Sequence, residues 1–102
     1  MADLPIACTL TPETIRTLRA GLLPGLLERA DARETLPEGY RVRFAATGDI
    51  LPSIARTVDA ERQCCRFLRF LITVEPDGGP ITLDITGPNG TREFLDALLT
   101  GA

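Results

Sequence analysis

Glu61, Cys64 and Cys65 bring a carboxyl and two thiols into one short stretch whose apolar spacing is helical. From Ile50 to Leu68, at about 100° per residue, Leu51, Ile54, Val58, Cys65 and Leu68 fall on one stripe, with Glu61 in its middle. A carboxylate placed where a leucine would pack is costly to bury as an ion. It must be paired, be protonated, or face a pocket or a metal. Glu61 precedes Cys64 by three residues and Cys65 by four, the spacings at which helical side chains meet.

Three chemistries compete for such a cluster. Nucleophilic catalysis needs a thiolate, and here the negative helix end and a neighbouring carboxylate both raise a thiol's pKa, with no histidine anywhere in the chain to act as base. A Cys64–Cys65 disulfide would close a strained ring on a regular helix, whereas Cys8 bridged to either is geometrically freer. Soft-ion binding suits the residue types best, since thiolates prefer zinc, copper(I) or similar ions and the metal drives deprotonation. Cys8, Cys64 and Cys65 with Glu61 as an oxygen ligand make a three- or four-coordinate candidate, although no C-x-x-C knuckle is present. Against all three stands the plain alternative that Cys8 and Cys65 are small core hydrophobes, with Cys64 at the margin of the stripe, and that Glu61 is held by Arg62, Tyr40 or backbone donors.

The elements that position these residues are read from alternation and helical spacing. Pro5 to Leu10 alternates as a strand with Ile6, Cys8 and Leu10 on one side. Thr11 caps a helix that Pro12 and Glu13 open and Ile15, Leu18, Leu22 and Leu26 bury, with an interruption expected at Gly21, Pro24 and Gly25. A turn at Leu36-Pro37-Glu38-Gly39 precedes a strand with Tyr40, Val42 and Phe44 inward, and Arg33 to Leu36 are a weaker partner strand. Thr47-Gly48-Asp49 starts the second long helix, expected to run to about Phe67. Phe70, Ile72 and Val74 alternate, a turn follows from Glu75 to Pro80, and Ile81, Leu83 and Ile85 alternate again as the clearest hairpin of the chain. Gly87 to Gly90 close it. Phe94, Leu95, Leu98 and Leu99 mark a short terminal amphipathic helix. The expected architecture is a single α+β domain over residues 1–102, a two-layer sandwich of one mixed or antiparallel sheet with helices packed on a face, loosely ferredoxin-like.

Composition narrows the function classes. With 102 residues, 44% hydrophobic and 25% charged, the chain is long enough for one core without staples. A net charge of -3 disfavours nucleic acid and anionic membrane surfaces as partners. No apolar run is long enough to span a bilayer, the opening lacks a signal-peptide pattern, and three cysteines make a poor disulfide framework. A cytoplasmic location is the expectation. All basic residues are arginine, which reads as codon bias in a GC-rich bacterial genome. Arg41 and Arg43 line the wet face of one strand and Thr82, Asp84 and Thr86 that of another, which favours cross-strand arginine–aspartate pairing over a site.

The pairing of I-A-C-T-L with E-R-Q-C-C-R-F-L resembles a group of small uncharacterised bacterial proteins that occur alone or behind DNA-binding domains of the MerR type. L-P-E-G-Y-R-V-R-F and I-T-L-D-I-T-G-P extend the likeness over most of the chain. The matching positions are Cys8, Glu61, Arg62, Cys64, Cys65, Phe67 and Leu68. Arg66 stands where the group has proline, and Pro24 interrupts a helix expected to be continuous. The resemblance implies a sensing or effector module of the kind that answers to soft metals, thiol stress or hydrophobic compounds, without a DNA-reading helix of its own. The leading expectation is a small ligand-binding or sensing module that takes a soft metal ion such as zinc or copper(I), or a thiophilic compound, through Cys8, Cys64, Cys65 and Glu61. It would act as a homo-oligomer or beside a regulator partner. The alternatives are a small thiol-dependent redox enzyme using Cys64 or Cys65 with Glu61 as acid/base, and a structural or protein-interaction module with its cysteines only in the core.

Overall fold

The computed structural model describes residues 22–100. The strand expected from Pro5 to Leu10, with Cys8, and the start of the first helix lie outside the described residues. The described order is α1 (Leu22–Glu28), β1 (Ala32–Leu36), β2 (Gly39–Phe44), α2 (Ile50–Cys64), β3 (Arg69–Val74), β4 (Ile81–Thr86) and α3 (Thr91–Thr100).

Alternation in the strands becomes a sheet with one dry and one wet face. The strand order is β1-β2-β4-β3 and every pairing is antiparallel. Because β2 and β3 each run antiparallel to β4, they are parallel to one another, and α2 is the crossover between them with β4 inserted in the gap. This split β-α-β arrangement gives substance to the ferredoxin-like expectation. In register, Val42, Leu83 and Ile72 form one row on the core side of the sheet, and Phe44 and Ile81 the next, with Val74 at its exposed end. Leu23 and Leu26 of α1, Ile50 and Ile54 of α2 and Leu95 of α3 join the inward strand residues in one buried cluster.

The wet face is ordered by charge. Glu34, Arg41 and Asp84 lie side by side across three strands, and Arg41 grips Asp84 with two hydrogen bonds, Nε to Oδ1 at 2.8 Å and Nη2 to Oδ2 at 2.9 Å. The expected arginine–aspartate pairing is therefore present, in bidentate form. The β3–β4 hairpin turns on Asp77 and Gly78, both with positive φ, and Gly79 N–H donates to the Pro76 carbonyl at 3.1 Å, the sign pattern of a type I′ turn.

Several expected boundaries move. The second helix ends at Cys64, not near Phe67, because Cys65 leaves helical geometry at φ -111°, ψ 77°. Leu51 is 39% exposed, so the buried stripe is rotated by one position and begins at Ile50. Val74, expected inward, is 55% exposed because β3 forms the edge of the described sheet. Helicity continues through Pro24 and Gly25 to Glu28. The terminal helix starts at Thr91, whose hydroxyl donates to the Pro88 carbonyl at 2.6 Å, and the Gly90 N–H before it donates to Glu38 Oε1 at 3.0 Å.

Two glycines test this packing in opposite directions. A Cβ at Gly39 would overlap the carbonyl oxygen of Ile85 across the β2–β4 ladder, whereas one at Gly25 would meet nothing within 4 Å. Gly39→Ala should lower stability by about 2 to 3 kcal/mol, and Gly25→Ala should raise it by up to about 1 kcal/mol by favouring the helix. Urea midpoints of the two variants check both signs.

Candidate functional site

Glu61 is set in the core by the helix that carries it. Ile50, Ile54, Thr57, Glu61 and Cys65 recur at spacings of four, three, four and four, and all five are buried. Both Glu61 and Cys65 are 0% exposed. The Cys65 N–H donates to the Glu61 carbonyl at 2.7 Å, which fixes the backbone of the two residues one turn apart as the helix ends. Leu68 N–H then donates to the Cys65 carbonyl at 3.0 Å, and the chain turns into β3. Phe67, packed edge-on against Phe94 with ring centroids 5.0 Å apart, anchors that turn to α3.

Three polar side chains are buried among the described residues, and two are satisfied. Thr57 donates to the Ser53 carbonyl at 2.8 Å, and Thr91 to Pro88. Glu61 differs: neither carboxyl oxygen has a hydrogen-bond partner among the described residues. The donors the sequence offered it are engaged elsewhere. Tyr40 donates its hydroxyl to Asp96, and Arg62 pairs with Asp59 at 2.9 Å one turn away on the exposed side of α2. Burial without compensating donors pushes the Glu61 carboxyl up to about 7, so the acid is largely neutral just below neutral pH.

Of the four residues singled out by sequence, Glu61 and Cys65 share one buried helix face. Cys64 is the last residue of α2, its side chain outside those described, and Cys8 lies outside the described residues. Among the described residues no three Cys, His, Asp or Glu side chains cluster as a metal site would require. A ligand set that includes Glu61 and Cys65 therefore has to draw on side chains outside those described, of which Cys8 and Cys64 are the sequence candidates. Two unpartnered oxygens at Glu61 fit an oxygen ligand or a proton carrier.

A second polar cluster escaped the sequence reading. Arg29 at the end of α1 reaches Asp49 Oδ1 at 2.8 Å and Ser53 Oγ at 3.1 Å, and Ser53 Oγ donates to Asp49 Oδ2 at 3.0 Å. The Arg29 guanidinium and the Ser53 hydroxyl hold the Asp49 carboxyl below its ordinary range. These groups line a cleft of about 270 Å³ with Arg56 and Thr57. Arg29 lies twenty or more residues from both its partners, so no local spacing could announce its part in the cluster. Each is satisfied by another, which makes the cluster a clasp between α1 and the start of α2. A larger hollow of about 440 Å³ lies between α1 and β1, and neither space is lined by Glu61 or Cys65. No described helix is long and apolar enough to cross a membrane.

The Glu61 carboxyl sets a pH dependence with a definite sign. The folded state keeps a proton up to about pH 7, which the unfolded chain releases near 4.5. Stability from this group is whole below about 4.5, falls by about 1.4 kcal/mol per pH unit between the two values, and is flat above 7. The chain has no histidine to add a slope of its own across that window. The protein should lose about 2 to 3 kcal/mol between pH 5 and pH 8. Glu61→Gln should remove the slope, and urea midpoints at the two pH values read it. A variant less stable than the parent at pH 8 would mean that the carboxylate is held by a cation. No protein-family model, curated protein or solved structure matches this chain.

Proposed function

We propose that the chain is a small ligand-binding or sensing module whose site joins the Glu61 carboxyl to the thiols of Cys8, Cys64 and Cys65, and that it takes a soft metal ion or a thiophilic compound. The observation that carries this reading is the Glu61 carboxyl, wholly enclosed and without a donor among the described residues, one turn before the buried Cys65. A leucine there would fill the same stripe without the desolvation cost, so the acid needs a purpose other than packing. A thiophilic cation supplies the missing positive partner and is itself the reason for thiols to ionise beside a carboxylate. Zinc and copper(I) are the ions such a donor set favours. The resemblance to modules found behind MerR-type regulators supports sensing over storage, with a regulator as partner and the cytoplasm as location.

A second reading, a small thiol-dependent redox enzyme using Cys64 or Cys65, is favoured by one observation. An acid with a pKa near 7 is suited to give and take protons at neutral pH. Turnover separates the two readings.

Protein purified under reducing conditions and titrated with zinc, with copper(I) and with a trivalent arsenical should bind at least one of them at one per chain. Cys8→Ser, Cys64→Ser and Cys65→Ser should each abolish or severely weaken that binding, and Glu61→Gln should weaken it about 10- to 100-fold while the fold persists. Competition against a chromophoric chelator gives the affinities. Binding of none of the three probes, or binding indifferent to all four substitutions, would remove the proposal.

A further inference from the structure

The two edges of the described sheet are built differently. β1, at one edge, runs Ala32-Arg33-Glu34-Thr35-Leu36 and carries two charges within five residues, the usual protection against pairing with another chain. β3, at the other, runs Arg69-Phe70-Leu71-Ile72-Thr73-Val74 with no proline and no charge after its first residue. Leu71 and Val74 are 53% and 55% exposed, and Phe70 and Ile72 are only half-buried. By contrast, Ile81, Leu83 and Ile85 on the adjacent β4 are all buried. Among the described residues, nothing pairs with the outer edge of β3.

We propose that this edge is the seam of a two-fold homodimer, in which the β3 strands of two copies pair antiparallel and join two four-stranded sheets into one. The choice of a second copy follows from the self-complementarity of the strand. A two-fold axis perpendicular to the sheet keeps both core faces on one side, so inward residues must meet inward residues. That leaves registers centred on Leu71, Ile72 or Thr73. Centring on Ile72 pairs residues 70 to 74 of the two strands and sets Arg69 against the partner's Glu75, just past the strand, at both ends. Phe70 then faces the partner's Val74 and Ile72 its own equivalent on the core side, while Leu71 faces the partner's Thr73 on the outer side. Centring on Leu71 leaves Glu75 without the arginine, and centring on Thr73 sets Leu71 against a carboxylate. Arg69 and Glu75 have no ion pair among the described residues, so both charges are available for the seam. Each copy has one such edge, so the assembly closes at two. The reading is independent of any ligand at Glu61.

Light scattering behind size exclusion, with sedimentation velocity over a dilution series, should give the full chain a mass of twice 11.0 kDa. Arg69→Glu and Glu75→Arg should each raise the dimer dissociation constant about tenfold, because two attractive cross-strand pairs become repulsive. The double variant R69E/E75R should restore it. Leu71→Lys, at a position already exposed in the monomer, should weaken the dimer with the circular dichroism spectrum unchanged. A monomer at every concentration up to the solubility limit, or a dimer indifferent to the single reversals, would overturn the proposal. So would a monomer whose outward β3 amides resist hydrogen exchange, which would assign the edge to residues 1–21 of the same chain.

Discussion

Ile81, Leu83 and Ile85 can be kept from water only if β4 has a strand on each side and a helical layer above, and the rest of the fold follows from that requirement. The β3–β4 hairpin supplies one neighbour locally. The other must come from β2, some forty residues upstream, and α2 has to cross the sheet to connect them. That crossing lays the Ile50–Ile54–Thr57–Glu61 face of α2 toward the same apolar layer. The polar clasp of Arg29 with Asp49 and Ser53 then holds α1 against the start of the crossover, while Glu38 ties the β1–β2 turn to the start of α3.

Glu61 gains its properties from this arrangement and not from its neighbours in sequence. Thr57 and Thr91 show how the layer ordinarily accommodates a polar side chain, by returning its hydroxyl to a nearby carbonyl. A carboxylate cannot do so, because it can only accept. The donors that its sequence offered are spent on acids closer to solvent: Tyr40 on Asp96 and Arg62 on Asp59. The helix therefore ends with an acid and a cysteine enclosed together, at the point where the chain bends into the edge strand. The cost of that acid grows as it ionises, which gives a cation or a proton leverage over the stability of the domain.

The opposite face of the sheet is solved by different physics. It has no covering layer among the described elements, and its residues alternate in charge across the strands, so Arg41 is drawn between Glu34 and Asp84. Such exposed pairs fix register more than they add stability. The polarity fades toward β3, where Leu71 stands beside Asp84 and the apolar edge begins.

Alternation alone located the three strands at Tyr40–Phe44, Phe70–Val74 and Ile81–Ile85, the partner strand ending at Leu36 and the one wet face, because period-two patterning is a local consequence of a half-buried strand. The presence of an acid on the buried face of the second long helix was legible for the same reason. What spacing could not reveal was which turn of the helix is last. Cys65 leaves the helix because the chain must enter β3, a demand made by the sheet and not by helix propensity, and with it Leu68 leaves the stripe. Nor could it tell that Leu51 would face outward and Val74 lie at an edge, since both depend on how α2 sits across the strands and on strand order. The partners of Glu61 were the largest open question. Tyr40 and Arg62 were within reach on paper. Arg62 is taken by Asp59, a local pair three residues back on the same helix, whereas Tyr40 is removed only by its tertiary contact to Asp96, fifty-six residues away, which no local spacing could announce.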